Sequence, residues 1–217
     1  MALRAILGGT FNPPHYGHIK PALSLLDSIG VSALGLMPCK IAPHKQVSVN
    51  ENHRVNMVEL CCTEDPRLYV ESLELSLPSP SYTVRTLECL QQKHQDSICF
   101  FIGADSLYNI ESWFEWERLL DYCHLVVMRR DGERFSPPSS IVAWLDANKT
   151  DDYSQLHEKQ HGCVILADTP LHPVSSTELR SAVASTSSAQ ADLLKKWVPP
   201  KVIDYIDTHQ LYQDLSN

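Results

Sequence analysis

The chain has 217 residues, 43% of them hydrophobic and 20% charged. That balance suits one globular domain, long enough to bury a core without disulfides or a structural metal. A net charge of −8 excludes a broadly basic nucleic-acid binder but not a small anionic ligand, which a few local cations decide. Seven cysteines, at 39, 61, 62, 89, 99, 123 and 163, form no C-x-x-C pair. Most lie in apolar segments and read as buried thiols of a reducing compartment. No apolar run approaches the roughly 18 residues of a membrane helix. The chain enters a strand at once, with no charged leader, so a cytoplasmic protein without membrane contact is expected.

In chain order, near-continuous apolar runs predict strands over 3–7, 33–37, 68–70, 98–102, 125–128 and 164–166, each suited to burial on both faces of a parallel sheet. Between them, helices are predicted over 18–28, 51–63, 83–93, 113–119, 177–183 and 201–209. The alternation predicts an α/β, Rossmann-like, doubly wound and mainly parallel sheet with helices on both faces. A single domain over 1–217 is expected, with the more polar 131–162 stretch as a peripheral insertion. Pro21 belongs in a first helical turn, which puts the first helix start close to Gly17 or His18.

The segment between the first strand and that helix, residues 8–18, reads Gly-Gly-Thr-Phe-Asn-Pro-Pro-His-Tyr-Gly-His. Gly8 and Gly9 allow a ligand to approach the backbone. It is neither a Walker loop nor G-x-G-x-x-G. It offers two imidazoles, His15 and His18, beside a helix N-terminus whose unpaired amides favour phosphate. In open α/β sheets ligands bind beyond the carboxyl ends of strands, where Gly103-Ala104-Asp105-Ser106 also falls. Further along, Ser175 with Glu178 fits a capping box, and Val174 with Leu179 a hydrophobic staple. Those two devices account for those four residues and leave Arg180 unexplained. His157-Glu158-Lys159-Gln160-His161 matches H-E-x-x-H, but its polar setting and the Gly162 that follows favour a solvated helix over a zinc site. The sequon Asn148-Lys149-Thr150 has no secretory route to use it.

The run from Gly9 to His18 resembles the G-T-F-(D/N)-P-x-H-x-G-H signature of the nucleotidyltransferase superfamily. More narrowly, the chain resembles bacterial nicotinate-nucleotide adenylyltransferases. The supporting segments are Pro43-His44-Lys45, Ser81-Tyr82-Thr83-Val84-Arg85-Thr86-Leu87, Gly103 to Ser106 with Trp113, Arg129-Arg130, and Ser175-Ser176-Thr177-Glu178-Leu179-Arg180. Two departures stand out: Arg130-Asp131-Gly132 in place of Arg-Pro-Gly, and Asn12 in place of a commoner aspartate. The first removes a proline and so loosens the turn that follows Arg129 and Arg130. At Asn12 the backbone is expected to matter more than the side chain.

The resemblance implies transfer of AMP from ATP to nicotinate mononucleotide, giving nicotinate adenine dinucleotide and pyrophosphate in NAD biosynthesis, with Mg2+ arriving on ATP. It implies His18, His15, Arg180 and Lys45 as the catalytic groups. Gly8, Gly9, Thr10, Phe11, Ser175, Ser176 and Thr177 join them around ATP. His44, Lys45, Tyr82, Thr83, Gly103, Asp105, Trp113 and Arg130 line the acceptor, with Trp113 as the platform for the pyridine ring. A tryptophan at helical spacing is more often core, the role expected of Trp116 apart from the resemblance. No metal ligands are expected from the chain itself. Nicotinamide mononucleotide and phosphopantetheine are the competing acceptors, and a non-catalytic nucleotide sensor is the competing class. Trp113 and the 81–87 segment favour a pyridine, and the four phosphate-facing side chains favour turnover.

Overall fold

The computed structural model describes residues 2–40, 49–130, 135–170, 172–185 and 187–213. Six strands form one sheet: β1 (Leu3–Gly9), β2 (Leu34–Pro38), β3 (Leu68–Val70), β4 (Ser97–Gly103), β5 (His124–Arg130) and β6 (Val164–Thr169). Their order is β3-β2-β1-β4-β5-β6, and all five pairings are parallel. The α/β doubly wound architecture is the one expected. Among the described residues ten helices surround the sheet: α1 (Tyr16–Ile29), α2 (Glu51–Cys62), α3 (Leu73–Ser76), α4 (Thr83–Lys93), α5 (Ala104–Tyr108), α6 (Ser139–Asn148), α7 (Gln155–Glu158), α8 (Ser176–Val183), α9 (Ser188–Trp197) and α10 (Pro200–Thr208).

The apolar runs form strands because successive side chains point to opposite faces and both faces are covered. On β4, Cys99 and Phe101 join one core with α1, α2 and α10, which supply Leu26, Met57 and Ile206. Ile98, Phe100 and Ile102 join the other with α4 and α6, which supply Leu87, Leu90 and Ile141. All seven cysteines are free thiols, and burial pushes those of Cys61 and Cys99 up to about 12, which makes them poor nucleophiles.

Some expectations are corrected. The first helix begins at Tyr16, so Pro21 lies in its second turn, where it has no N–H to give the carbonyl of Gly17. The 113–119 helix is replaced by two 3-10 turns, Ile110–Ser112 and Trp116–Asp121. Glu115 between them adopts φ 49°, a left-handed conformation that interrupts a regular helix. The described part of 131–162 carries α6 and α7, joins β5 to the adjacent β6, and buries Ile141, Leu145 and Leu156. His157 and His161 do not share a solvated helix: α7 ends at Glu158. The imidazole of His157 contacts the Ile29 carbonyl at 3.0 Å, and that of His161 contacts the Leu120 carbonyl at 3.0 Å.

After β1 the chain moves to β2 on one side, and after β3 it crosses to β4 on the other. The carboxyl ends of β1 and β4 therefore flank the point where the winding reverses, the place where such sheets open a crevice. Leu7 pairs with Phe101, so Gly9 and Gly103 end their strands side by side.

Candidate functional site

β1 delivers Gly8 and Gly9 to the crevice, and side chains of neighbouring elements fix both. A Cβ on Gly8 would lie 2.6 Å from the Phe100 ring, and one on Gly9 would lie 3.1 Å from the Phe11 ring. Phe11 closes down on Gly9 by adopting φ 49°. Its ring is buried, 1% exposed, and that packing holds a conformation unfavourable for a bulky residue. The Phe11 ring also meets His18 edge-on, with centroids 5.4 Å apart.

His15 is the N-cap of α1 and His18 lies in its first turn. Their rings stack with centroids 3.6 Å apart and planes 26° apart. The two imidazoles thus form one plate at a helix start, where the amides carry partial positive charge. Gly17 makes the plate possible, since a Cβ there would lie 2.7 Å from Val174 Cγ1 and 3.0 Å from His15 Nδ1.

That contact with Val174 belongs to a second helix start. Ser175 caps α8 by accepting from the Glu178 amide, and Glu178 returns the bond to the Ser175 amide, the expected capping box. Val174 and Leu179 are buried in one core, as a staple requires. The Ser176 hydroxyl donates to the Pro13 carbonyl at 3.2 Å, and Arg180 Nη1 donates to the Asn12 carbonyl at 2.8 Å. Arg180 Nη2 donates to Thr177 Oγ1 at 3.2 Å. Two helix N-termini therefore meet across the 8–18 loop, with a guanidinium between them. Asn12 is more than backbone: its Oδ1 accepts from the buried Tyr212 hydroxyl at 2.8 Å, so the C-terminal segment also clamps the loop.

The other predicted residues occupy separate segments. Thr83 is the first residue of α4 and Tyr82 its N-cap. A Cβ on Gly103 would meet nothing within 4 Å, so the end of β4 borders open space, with Asp105 exposed in the first turn of α5. Trp113 is half-buried against the second core, as is Trp116, which meets Trp144 edge-on. Arg129 pairs with Asp168 at 3.0 Å. Arg130 ends β5, and its side chain lies outside the described atoms, while His44 and Lys45 lie outside the described residues altogether.

Three groups were not singled out from the sequence. Phe114, 38% exposed, stacks on Tyr82 with centroids 4.4 Å apart, and Arg85 lies over both rings at 4.9 and 4.7 Å. The aromatic doublet with Trp113 was the available signal. Arg54, only 1% exposed, donates to the Thr10 carbonyl at 2.9 Å and the Lys40 carbonyl at 2.8 Å. Glu74, 4% exposed, accepts from the Lys40 amide at 3.3 Å and from Thr86 Oγ1 at 3.1 Å. Burial raises the Glu74 carboxyl above its ordinary range, while hydrogen bonds from Ser81, Thr86 and Lys40 and the charge of Arg54 oppose the shift.

Comparison with known proteins agrees with this geometry. The family described as cytidylyltransferase-like matches residues 6–182. A Pseudoalteromonas atlantica protein described as a probable nicotinate-nucleotide adenylyltransferase is 38% identical over 210 residues, 96% of this chain and 94% of that one. A Pectobacterium atrosepticum protein of the same description is 38% identical over 216 residues, 98% of this chain and 99% of that one. In fold, the chain is similar to a Plasmodium falciparum nicotinic acid mononucleotide adenylyltransferase solved with NaAD. The TM-score is 0.72 at 22% identity, over 98% of both chains. The match over residues 6–182 places this α/β chain in the cytidylyltransferase-like class. Within it, this chain belongs to the nicotinate-nucleotide adenylyltransferase family.

Proposed function

We propose that the protein transfers AMP from ATP to nicotinate mononucleotide, forming nicotinate adenine dinucleotide and releasing pyrophosphate. The observation that carries this reading is the stacked His15–His18 plate at one helix start, joined across the 8–18 loop to a second helix start bearing Arg180. Likeness over nearly the full length to proteins described as nicotinate-nucleotide adenylyltransferases supports the choice of acceptor.

An oxygen of the acceptor's phosphate attacks the α-phosphorus of ATP, and the bond from that phosphorus to the bridging oxygen of pyrophosphate breaks. The acceptor is already an anion at neutral pH, so no general base is needed. The protein's task is to align two polyanions and to stabilise charge growing on the α-phosphate and the leaving group. His18 takes the α-phosphate and His15 the neighbouring phosphates, with Gly8, Gly9, Thr10 and Phe11 shaping the floor. The amides of Ser175, Ser176 and Thr177 together with Arg180 take the β- and γ-phosphates. Lys45, with His44 beside it, neutralises phosphate charge.

Tyr82, Thr83, Gly103, Asp105 and Arg130 border the acceptor, and Trp113 supplies the surface for the pyridine ring. Mg2+ enters on ATP and keeps several waters. That suits the donors described around the loop, which are imidazoles, amides and a guanidinium. Among the described residues no group of three metal-ligating side chains forms. We place the enzyme in the cytoplasm, where its nucleotide substrates are made; no helix of the described residues is long and apolar enough to cross a membrane.

Incubation with ATP, Mg2+ and nicotinate mononucleotide tests the reading. Nicotinate adenine dinucleotide and pyrophosphate should appear in equal amounts. Release of phosphate or AMP without a dinucleotide would overturn it.

A further inference from the structure

Arg54 and Glu74 lie beneath the crevice on α2 and α3, and neither is exposed enough to bind substrate directly. They hold the two backbone groups of one residue, Lys40. Arg54 donates to the Lys40 carbonyl, and Glu74 accepts from the Lys40 amide. The Lys40 ammonium adds a bond to the Leu77 carbonyl at 3.1 Å. From that shared residue the two side chains diverge. Arg54 reaches the Thr10 carbonyl in the 8–18 loop. Glu74 reaches Thr86 and Ser81, in the segment that begins α4.

Burying a guanidinium and a carboxylate is costly unless both are well bonded, and apolar side chains of like volume would often serve stability as well. What apolar residues could not do is fix three backbone segments in one register. We propose that Arg54 and Glu74 are positioning residues, linking the loop under the ATP phosphates to the segment bordering the acceptor through the backbone amide and carbonyl of Lys40. This rests on the reading of residues 8–18 as the donor side and 81–87 as the acceptor side.

The test uses the full chain with Arg54→Met, with Thr86→Val, which keeps the side-chain shape and removes the bond to Glu74, and with both together. In the wild type, pyrophosphate release dependent on nicotinate mononucleotide checks the functional reading by itself. Arg54→Met should lower kcat by about 10–100-fold, the scale of a misplacement of about 1 Å. Thr86→Val should raise KM for the acceptor by about 3–10-fold, the worth of one buried hydrogen bond, with little change in KM for ATP. Because both act through Lys40, the effects in the double variant should fall short of the product of the two single effects. Effects that simply multiply, or variants with wild-type kinetics, would overturn the link while leaving the functional reading intact.

Hydrogen exchange reads the same link without turnover. Arg54→Met should speed exchange over residues 81–87, on the far side of Lys40 from the carbonyls that Arg54 holds, and Thr86→Val should speed it over 8–12. If either change stays local, the link is refuted. Should Arg54→Met fail to fold, Arg54→Lys, which keeps the charge but can serve only one of the two carbonyls, and Thr86→Val carry both measurements.

Discussion

Gly17→Ala sets two opposing effects against each other at the centre of the site. In an ordinary helix, alanine for glycine gains about 0.8–1.0 kcal/mol from backbone propensity. Here the added methyl would lie 2.7 Å from Val174 Cγ1 and 3.0 Å from His15 Nδ1. Neither neighbour can retreat freely. Val174 is 5% exposed and packed in the same core as Leu179, and His15 is 3% exposed and stacked on His18. Forcing an extra carbon into such a contact costs about 1–3 kcal/mol. Set against the propensity gain, the net is a loss of roughly 0–2 kcal/mol. The functional effect should be larger, because relief comes by separating the two helix starts or turning the imidazole plate. A shift of that size lowers kcat by about 10²-fold. Urea unfolding gives the first quantity and steady-state pyrophosphate release the second. A variant stabilised by about 1 kcal/mol with unchanged kcat would refute the packing argument and the role of the plate together.

Three further outcomes follow from named contacts. His18→Ala should lower kcat by about 10²–10³-fold, the usual loss for one transition-state donor, and wild-type turnover in that variant would remove His18 from the chemistry. Tyr212→Phe deletes the buried bond to Asn12 and should cost about 1 kcal/mol, seen as a fall of roughly 2–4 °C in Tm; an unchanged Tm would show that the C-terminal segment does not clamp the loop. His124 supplies a pH effect. Its Nε2 faces the Lys159 carbonyl at 3.0 Å and its Nδ1 accepts from the Cys163 amide at 3.2 Å, which assigns the neutral form protonated at Nε2. Burial lowers its pKa below the ordinary 6.5. Below that value the unfolded chain binds a proton that the folded protein refuses, so stability falls as pH drops through 6.5 toward the folded value. His124→Gln should flatten that part of the stability curve, and an unaltered slope would assign it elsewhere.

The strands were legible because burial on both faces makes them continuous apolar runs, and each of the six lies where such a run occurs. The 8–18 loop was legible because glycines, prolines and paired histidines are dense there. The region after α5 was not, because Trp113 and Trp116 mimic helical spacing, while Glu115 at φ 49° breaks the chain into 3-10 turns. The helices α3, α5 and α7 are too short to show a period. Arg54 was hidden for a different reason. It sits among polar residues of α2 and looks solvated in sequence, and its partners Thr10 and Lys40 lie 44 and 14 residues away. The clamp from Tyr212 to Asn12 spans 200 residues, beyond any local pattern. Sequence spacing exposed the groups proposed to touch phosphate more readily than the groups that hold their backbone.

On the proposed function, the crevice joins an ATP α-phosphate to the phosphate of an acidic pyridine nucleotide. The most direct measurement is the initial rate of pyrophosphate release from MgATP, taken side by side with nicotinate mononucleotide, nicotinamide mononucleotide and phosphopantetheine. The kcat/KM should be highest with nicotinate mononucleotide, with a matching yield of dinucleotide. Release with phosphopantetheine alone, or with none of the three, would contradict it.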